Sequence, residues 1–439
     1  FRQAMAEVCH KIREDRPDLF ERIAGLTVSC MRECMILSDE QGEAIRPCIV
    51  WLDRRKTSVK RPRNPILRGA LRLVTKSAQV SYSNWLQDNE PENWKKAYKF
   101  VYLSAYLNHW MCGRFVDTAS AQAGHVAFNS KHFDWSNPLD IKYYVFPMTR
   151  DKAVDIVEPG TVMGTLTEQA SAALGLPPEV KVIACASDKA CETLGCGCAD
   201  DRVAVLSFGS QTTIQTTIKR YYEVEPLVPS FAAAVPGRWN AEQQIYRGFW
   251  MVRWFIHNLG LQAVKDDEDG ETIMEEYIEA TPPGSDGLII YPYWGACVKR
   301  PDSTGAMVGF KDYHTRAHIY RAMLEGIGYT LKEAMKVMEK KKGSHMEYLI
   351  ASGGGSQSGI ICQMMASILN RPIVRMQMHE ATGLGAAITG YVALQDYASF
   401  EDAAAAMAHV AERFEPNPED AAKYKKLYRK YMKKKKASY

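Results

Sequence analysis

Ile350-Ala-Ser-Gly-Gly-Gly-Ser-Gln-Ser358 decides how this chain is read, because three consecutive glycines separate an apolar run at 348–350 from a periodic apolar segment at 362–369. The pattern predicts a strand, a glycine turn and a helix. Glycine lets backbone approach a ligand without Cβ interference, and the unpaired N–H groups that open a helix favour an anion. Gly353, Gly354, Gly355 and Ser356 are therefore candidate nucleotide contacts. Taken alone, such a corner serves just as often to pack a helix onto a strand.

Working outward, strands and helices alternate in both halves. Residues 314–340 read as one long helix, 287–291 as a strand, and 248–259 and 269–278 as helices. Residues 203–208 and 213–218 form a hairpin, 180–186 a strand, and 166–174 a helix stopped by Gly175 and Pro177-Pro178. Residues 81–113 are read as helical, with a break at Asn89-Glu-Pro91 and a helix over 100–110. Upstream lie three short strands, at 23–28, 35–37 and 48–51, with Asp39-Glu-Gln-Gly42 as the turn between the last two. The alternation predicts an α/β architecture. A change of texture near residue 200 divides the 439 residues into domains 1–199 and 200–439.

Composition narrows the class. Apolar residues at 46% and charged residues at 24% are ordinary for a globular protein. No apolar run approaches the roughly 18–20 residues that cross a bilayer, which argues against a membrane partner. Eleven cysteines, an odd number, make no disulfide ladder and fit a reducing, cytoplasmic setting. Cys196-Gly-Cys198 has no second cluster at ligand spacing, so it reads as two small buried residues. A net charge of +4 gives no reason to expect nucleic acid. The lysine-rich stretch at 423–436 is read as a solvated helix end whose cations complement the macrodipole, and the basic stretch at 54–72 as a surface segment. Ala4, Val8 and Ile12 keep a 3.6 period from the first positions, so the chain is expected to be truncated at its start.

Three further constellations carry polar chemistry among apolar flanks. The hairpin turn Ser207-Phe-Gly-Ser-Gln-Thr-Thr213 places Gly209 and Ser210 where backbone N–H and hydroxyl groups can wrap phosphate; the other reading is a Thr-rich, solvent-facing strand. Ser187-Asp188 ends the apolar strand and opens a helix, where ligands bind in α/β sheets, although taken alone an ordinary helix cap is the better reading of the pair. Arg32-Glu33 interrupts Val28-Ser-Cys-Met-Arg-Glu-Cys-Met-Ile-Leu37. A charged pair there lines a polar pocket or forms an edge-strand ion pair.

In order and spacing, these pieces resemble the FGGY family of carbohydrate kinases over nearly the whole chain. The matching segments are Ser29-Cys-Met-Arg-Glu33, Asp39-Glu-Gln-Gly42, Ile49-Val-Trp-Leu-Asp-Arg-Arg55, Ala186-Ser-Asp-Lys-Ala190 and Ser207-Phe-Gly-Ser-Gln211. Gly353-Gly-Gly-Ser-Gln-Ser358 follows, with Gln363-Met364, Arg371-Pro372 and Glu380-Ala-Thr-Gly-Leu-Gly-Ala-Ala387. The resemblance implies a two-domain actin-like ATPase (ribonuclease H-like) α/β fold, with the first strands of the N-terminal domain missing. It also implies ATP and Mg²⁺ as cofactors, a small sugar or polyol as substrate, and room for a homodimer. By the same resemblance Asp188 is the general base and a metal contact. Arg32, Glu33, Trp51 and Asp188 hold substrate, Gly209 and Ser210 wrap phosphate, and Gly353, Gly354, Gly355 and Ser356 lie against adenosine with Gly248 nearby. The chain departs from the family in lacking an early Asp-x-Gly-Thr turn, in having Ser187 where glycine is usual, and in having Gln211 where a small residue is usual. The missing turn makes a non-catalytic, actin-like nucleotide-binding protein the alternative to a kinase.

Overall fold

The computed structural model describes residues 1–58, 77–226, 228–245, 247–259, 270–294 and 304–438; most of the basic stretch at 54–72 lies outside them. The chain forms two compact units. Unit 1 comprises Phe1–Gly195, Phe231–Arg238 and Thr382–Ala404, and unit 2 comprises Cys196–Ser230, Trp239–Ala381 and Ala405–Tyr439. Two later segments thus return to unit 1, and no single cut near residue 200 separates the units.

In unit 1, Gly25–Thr27 runs parallel to Lys181–Ile183, whose other edge pairs antiparallel with Val162–Thr165. Val182, Ala184, Trp110, Met111 and Leu174 bury together beside this sheet. The helix Glu168–Leu174 has clear local punctuation: the Thr167 hydroxyl accepts from the Ala170 N–H at 3.1 Å, and Gly175 closes the helix at φ 68. Thr167→Ala should cost about 1 kcal/mol of stability, measurable by urea denaturation.

The expected helix over 100–110 needs correction. Lys99–Tyr102 is a strand, antiparallel to Met35–Ser38, and the helix spans Leu103–Cys112. Phe100, Val101 and Tyr102 are buried on both faces of the strand, and a short apolar run of this kind carries no period that separates strand from helix. Of the segment expected as a strand at 48–51, only Ile49 pairs, in an isolated bridge with Met35.

In unit 2 the strands lie in the order Trp239–Ile245, Thr212–Ile218, Val203–Phe208, Tyr348–Ser352, Ile373–Met376 and Val410–Phe414. One face of this sheet, including Leu206, Ile214 and Leu349, packs on the 27-residue helix Arg316–Lys342 through Met323, Leu324, Ile327 and Leu331. Every residue of Thr212–Ile218 is buried, so the solvent-facing reading of this strand falls. The lysine-rich end is not a free tail either. It belongs to the helix Pro418–Ser438, which buries Tyr424, Tyr428 and Tyr431 in the core of unit 2. Tyr424 also meets the buried Arg321–Glu325 pair, accepting from Arg321 Nη2 at 2.8 Å and donating to Glu325 Oε1 at 3.1 Å.

Candidate active site

The sugar-side candidates lie in unit 1. The strand Lys181–Ile183 runs on into Asp188, the first residue of the helix Asp188–Gly195. The corner is held from two sides. Asp188 N–H donates to the Cys30 carbonyl at 3.0 Å, and the Ser29 hydroxyl donates to the Ala186 carbonyl at 3.1 Å. Ser187 donates its N–H to the Ser120 hydroxyl at 3.2 Å and shares a hydroxyl–hydroxyl bond with it. On the far side of this helix, a Cβ on Gly385 would lie 1.9 Å from the Cys191 carbonyl oxygen, so only glycine allows so close a helix contact.

Asp188 accepts from the Lys189 N–H through Oδ1 at 2.7 Å, while Oδ2 takes no hydrogen bond among the described residues. Burial pushes the Asp188 carboxyl above the ordinary carboxylate range, opposed by the charges of Arg32 and Lys189.

Arg32 and Glu33 occupy a turn between Gly25–Thr27 and Met35–Ser38, not a strand, so neither pocket nor ion pair follows from strand faces. Glu33 takes the left-handed region at φ 65. Its carboxylate lies against Gly124, where an added Cβ would come within 2.5 Å of Glu33 Oε1. Arg32 stacks its guanidinium 4.5 Å from the centre of the Phe231 ring. Burial raises the Glu33 carboxyl and Arg32 opposes the shift.

Trp51 is exposed in the turn after Ile49, and no hydrogen bond or ring contact ties it to Arg32 or Glu33 among the described residues. The rest of its segment is anchored. Arg55 bonds Asp53 at 2.7 Å and lies 4.1 Å from the Trp85 ring.

Several supporting residues carried no signal in the sequence. Asp117, fully buried, accepts from the Ser104 hydroxyl (2.6 Å), Gln122 Nε2 (3.0 Å) and Thr118 N–H (2.8 Å). These bonds fix the loop that presents Ser120 to Ser187. Burial raises Asp117 from 3.8 to about 7 against the pull of those donors. Between these two values the unfolded carboxyl has released its proton and the folded one has not, so this group removes stability as pH rises through that window. Asp117→Asn cannot ionise, and thermal denaturation of both proteins at about pH 5 and about pH 8 should show the variant losing less stability between them.

The nucleotide-side candidates lie in unit 2. Val203–Phe208 and Tyr348–Ser352 are parallel neighbours whose last pair is Ser207 with Ser352. Their following turns therefore leave the sheet side by side. A Cβ on Gly353, at φ +79, would sit 3.1 Å from Gly209 N and from the Phe208 carbonyl carbon. A Cβ on Gly355 would come within 2.3 Å of the Phe249 ring, and one on Gly248 within 2.0 Å of Thr212 Oγ1. Phe249 N–H meanwhile donates to Thr212 Oγ1 at 3.2 Å. Gly209, Gly248, Gly353 and Gly355 are thereby gathered in one place.

Gly354 differs from its neighbours. A Cβ there would meet nothing within 4 Å among the described residues. Ser356 is buried and donates its hydroxyl to the Gly353 carbonyl at 2.7 Å, so it shapes the turn. A depression of about 230 Å³ beside the turn is lined by Ser352, Gly353, Ser356, Arg375 and His379.

Comparison with known proteins accounts for this order of parts. Residues 1–195 match the N-terminal domain of the FGGY family of carbohydrate kinases, and residues 204–394 match its C-terminal domain. The chain belongs to the FGGY family of carbohydrate kinases. It is 27% identical over 434 residues to a xylulose kinase of Lactococcus lactis, covering 97% of this chain and 85% of that protein. An uncharacterised sugar kinase of Escherichia coli is 28% identical over 409 residues, covering 92% and 77%. A gluconokinase of Bacillus subtilis is 23% identical over 438 residues, covering 97% and 84%.

Among solved structures, gluconate kinase from Lactobacillus acidophilus superposes on this FGGY kinase with a TM-score of 0.81 at 22% identity, covering 96% of this chain and 86% of that one. Glycerol kinase of Plasmodium falciparum with ADP gives 0.72 at 16%, covering 98% and 88%. These likenesses establish the two-domain, actin-like α/β fold. The reading of the chain as a non-catalytic relative finds no support among these proteins.

Proposed function

We propose that this ATP-dependent carbohydrate kinase uses Asp188 as the general base that activates a sugar hydroxyl held by Arg32 and Glu33. The observation that carries the reading is the Asp188 corner. A carboxylate at a strand end is fixed through its own N–H and Oδ1, keeps Oδ2 free of hydrogen bonds among the described residues, and is lifted by burial above the ordinary range. A base so placed can take a hydroxyl proton as the oxygen attacks. The new bond joins that oxygen to the γ-phosphorus, the bond from γ-phosphorus to the β,γ-bridging oxygen breaks, and ADP departs with that electron pair.

Arg32 supplies donors to substrate oxygens and Glu33 supplies acceptors to substrate hydroxyls. Gly209 and Ser210 face phosphate and Gly354 faces the nucleotide, while Gly353, Gly355, Gly248 and Ser356 set the backbone course that brings these turns together. No group of three His, Cys, Asp or Glu side chains suited to a metal occurs among the described residues. Mg²⁺ takes one or two carboxylates and completes its shell with phosphate oxygens and water, so a single protein carboxylate can serve. Asp188 is the carboxylate that would hold it. When bound, the ion offsets phosphate charge.

The relatives' names favour a ketose or a sugar acid over a simple triol. Coupled assays with D-xylulose, D-gluconate and glycerol test the reading: ATP-dependent phosphorylation of a sugar is expected. Absence of any turnover or sugar binding would overturn it.

A further inference from the structure

His125 has no role in the reading above, yet its surroundings in unit 1 are built for one. Its ring stacks on Tyr82 with centroids 3.6 Å apart and planes 9° apart, and the Phe146 ring meets it edge-on at 6.2 Å. Nδ1 is buried without a hydrogen-bond partner among the described residues. Nε2 lies 3.9 Å from Glu33 Oε2. The Glu33 side chain is 39% exposed and the His125 side chain 13%, so Glu33 is the member of the pair that a ligand reaches more readily.

The proton of the ring follows from these neighbours. An N–H enclosed without an acceptor is destabilising, whereas an N–H facing a carboxylate is favoured. Nε2 therefore carries the hydrogen and Nδ1 the lone pair. Burial pushes His125 down to about 4, so the ring is neutral near pH 7. The gap of 3.9 Å is too long for a direct bond from Nε2–H to Oε2. One oxygen set beside the line that joins them can reach both at about 2.8 Å, with an angle of roughly 90° at that oxygen.

We propose that His125 and Glu33 together read one hydroxyl of the sugar. Nε2–H donates to the hydroxyl oxygen, and that hydroxyl donates to Glu33 Oε2. A group that lacks a hydroxyl there leaves both partners unmatched, which makes the pair a determinant of substrate choice. The inference rests on the assignment of Arg32 and Glu33 to the sugar side.

His125→Phe keeps the ring that stacks on Tyr82 and removes the donor, while His125→Gln restores a donor of similar reach. Binding is measured by calorimetry with D-xylulose, D-gluconate and glycerol, then with singly deoxygenated analogues of the best ligand. We expect His125→Phe to weaken that ligand about 10-fold, the scale of one lost hydrogen bond in a desolvated site, and His125→Gln to recover most of the loss. The penalty should vanish for one deoxygenated analogue alone.

Unchanged affinity in His125→Phe, or an equal loss with every analogue, overturns the proposal while leaving the sugar-side assignment intact. Failure of the unaltered protein to bind any of the three compounds overturns both. If His125→Phe does not fold, the ¹⁵N resonance of His125 Nε2 in the unaltered protein decides: a shift on adding sugar supports the proposal, and an unmoved signal overturns it.

Discussion

Asp188→Asn should reduce turnover by about 100-fold or more with little change in ATP affinity, the usual scale for losing a general base. The substitution separates two roles cleanly. Asparagine keeps the backbone N–H that binds the Cys30 carbonyl and an oxygen that accepts from the Lys189 N–H, so the corner should survive. It cannot accept a proton. If Asp188 served only to start the helix Asp188–Gly195, asparagine would do so nearly as well and activity would stay close to normal. Near-normal turnover at unchanged stability would therefore remove Asp188 from the mechanism. The acid limb of kcat/KM gives an independent check. Because burial raises this carboxyl above 3.8, activity should be lost on acidification before an ordinary carboxylate would protonate. Arg32 opposes that rise, so neutralising it should move the limb to still higher pH.

Local features of the sequence were legible where one residue type imposes one geometry. The glycine turn at 353–355, the hairpin around Gly209 and the helix stop at Gly175 each stand where the pattern placed them, and Gly353 at φ 79 and Gly175 at φ 68 use backbone freedom that other residues lack. Apolar period worked for the 27-residue helix Arg316–Lys342 because length reveals the period. It failed at Lys99–Tyr102, where four residues span one turn of helix or two pleats alike. Long-range returns were invisible. Phe231–Arg238 and Thr382–Ala404 join unit 1 through contacts that no local pattern encodes, and Phe231 beneath Arg32 is one of them. The same limit hid His125 and Asp117. A lone histidine or aspartate in a mixed segment becomes informative only when the fold sets Glu33 beside the first and Ser104 and Gln122 around the second.

Gly354→Val should weaken ATP binding by roughly 10-fold or more, since loss of well-packed ligand contacts is worth more than about 1.4 kcal/mol. Stability should barely change. The prediction turns on why three glycines stand in a row. Gly353 is needed because its φ is +79 and because Phe208 and Gly209 backbone atoms lie 3.1 Å from where a Cβ would be; Gly355 is needed because Phe249 lies at 2.3 Å. Packing therefore explains both flanking glycines without any ligand. It does not explain Gly354, whose Cβ would point into open space and whose φ is outside the left-handed region. A Cβ there meets no atom of the described residues within 4 Å, so a loss of affinity on adding a side chain points to a ligand. Calorimetry of ATP binding alongside urea denaturation separates the cases. Lost affinity at unchanged stability assigns Gly354 to the nucleotide surface, with Gly353→Ala expected to lose roughly 1–3 kcal/mol of stability from backbone strain as the contrasting control. Unchanged ATP affinity in Gly354→Val would leave the glycine run as a packing device and would take the nucleotide away from this turn.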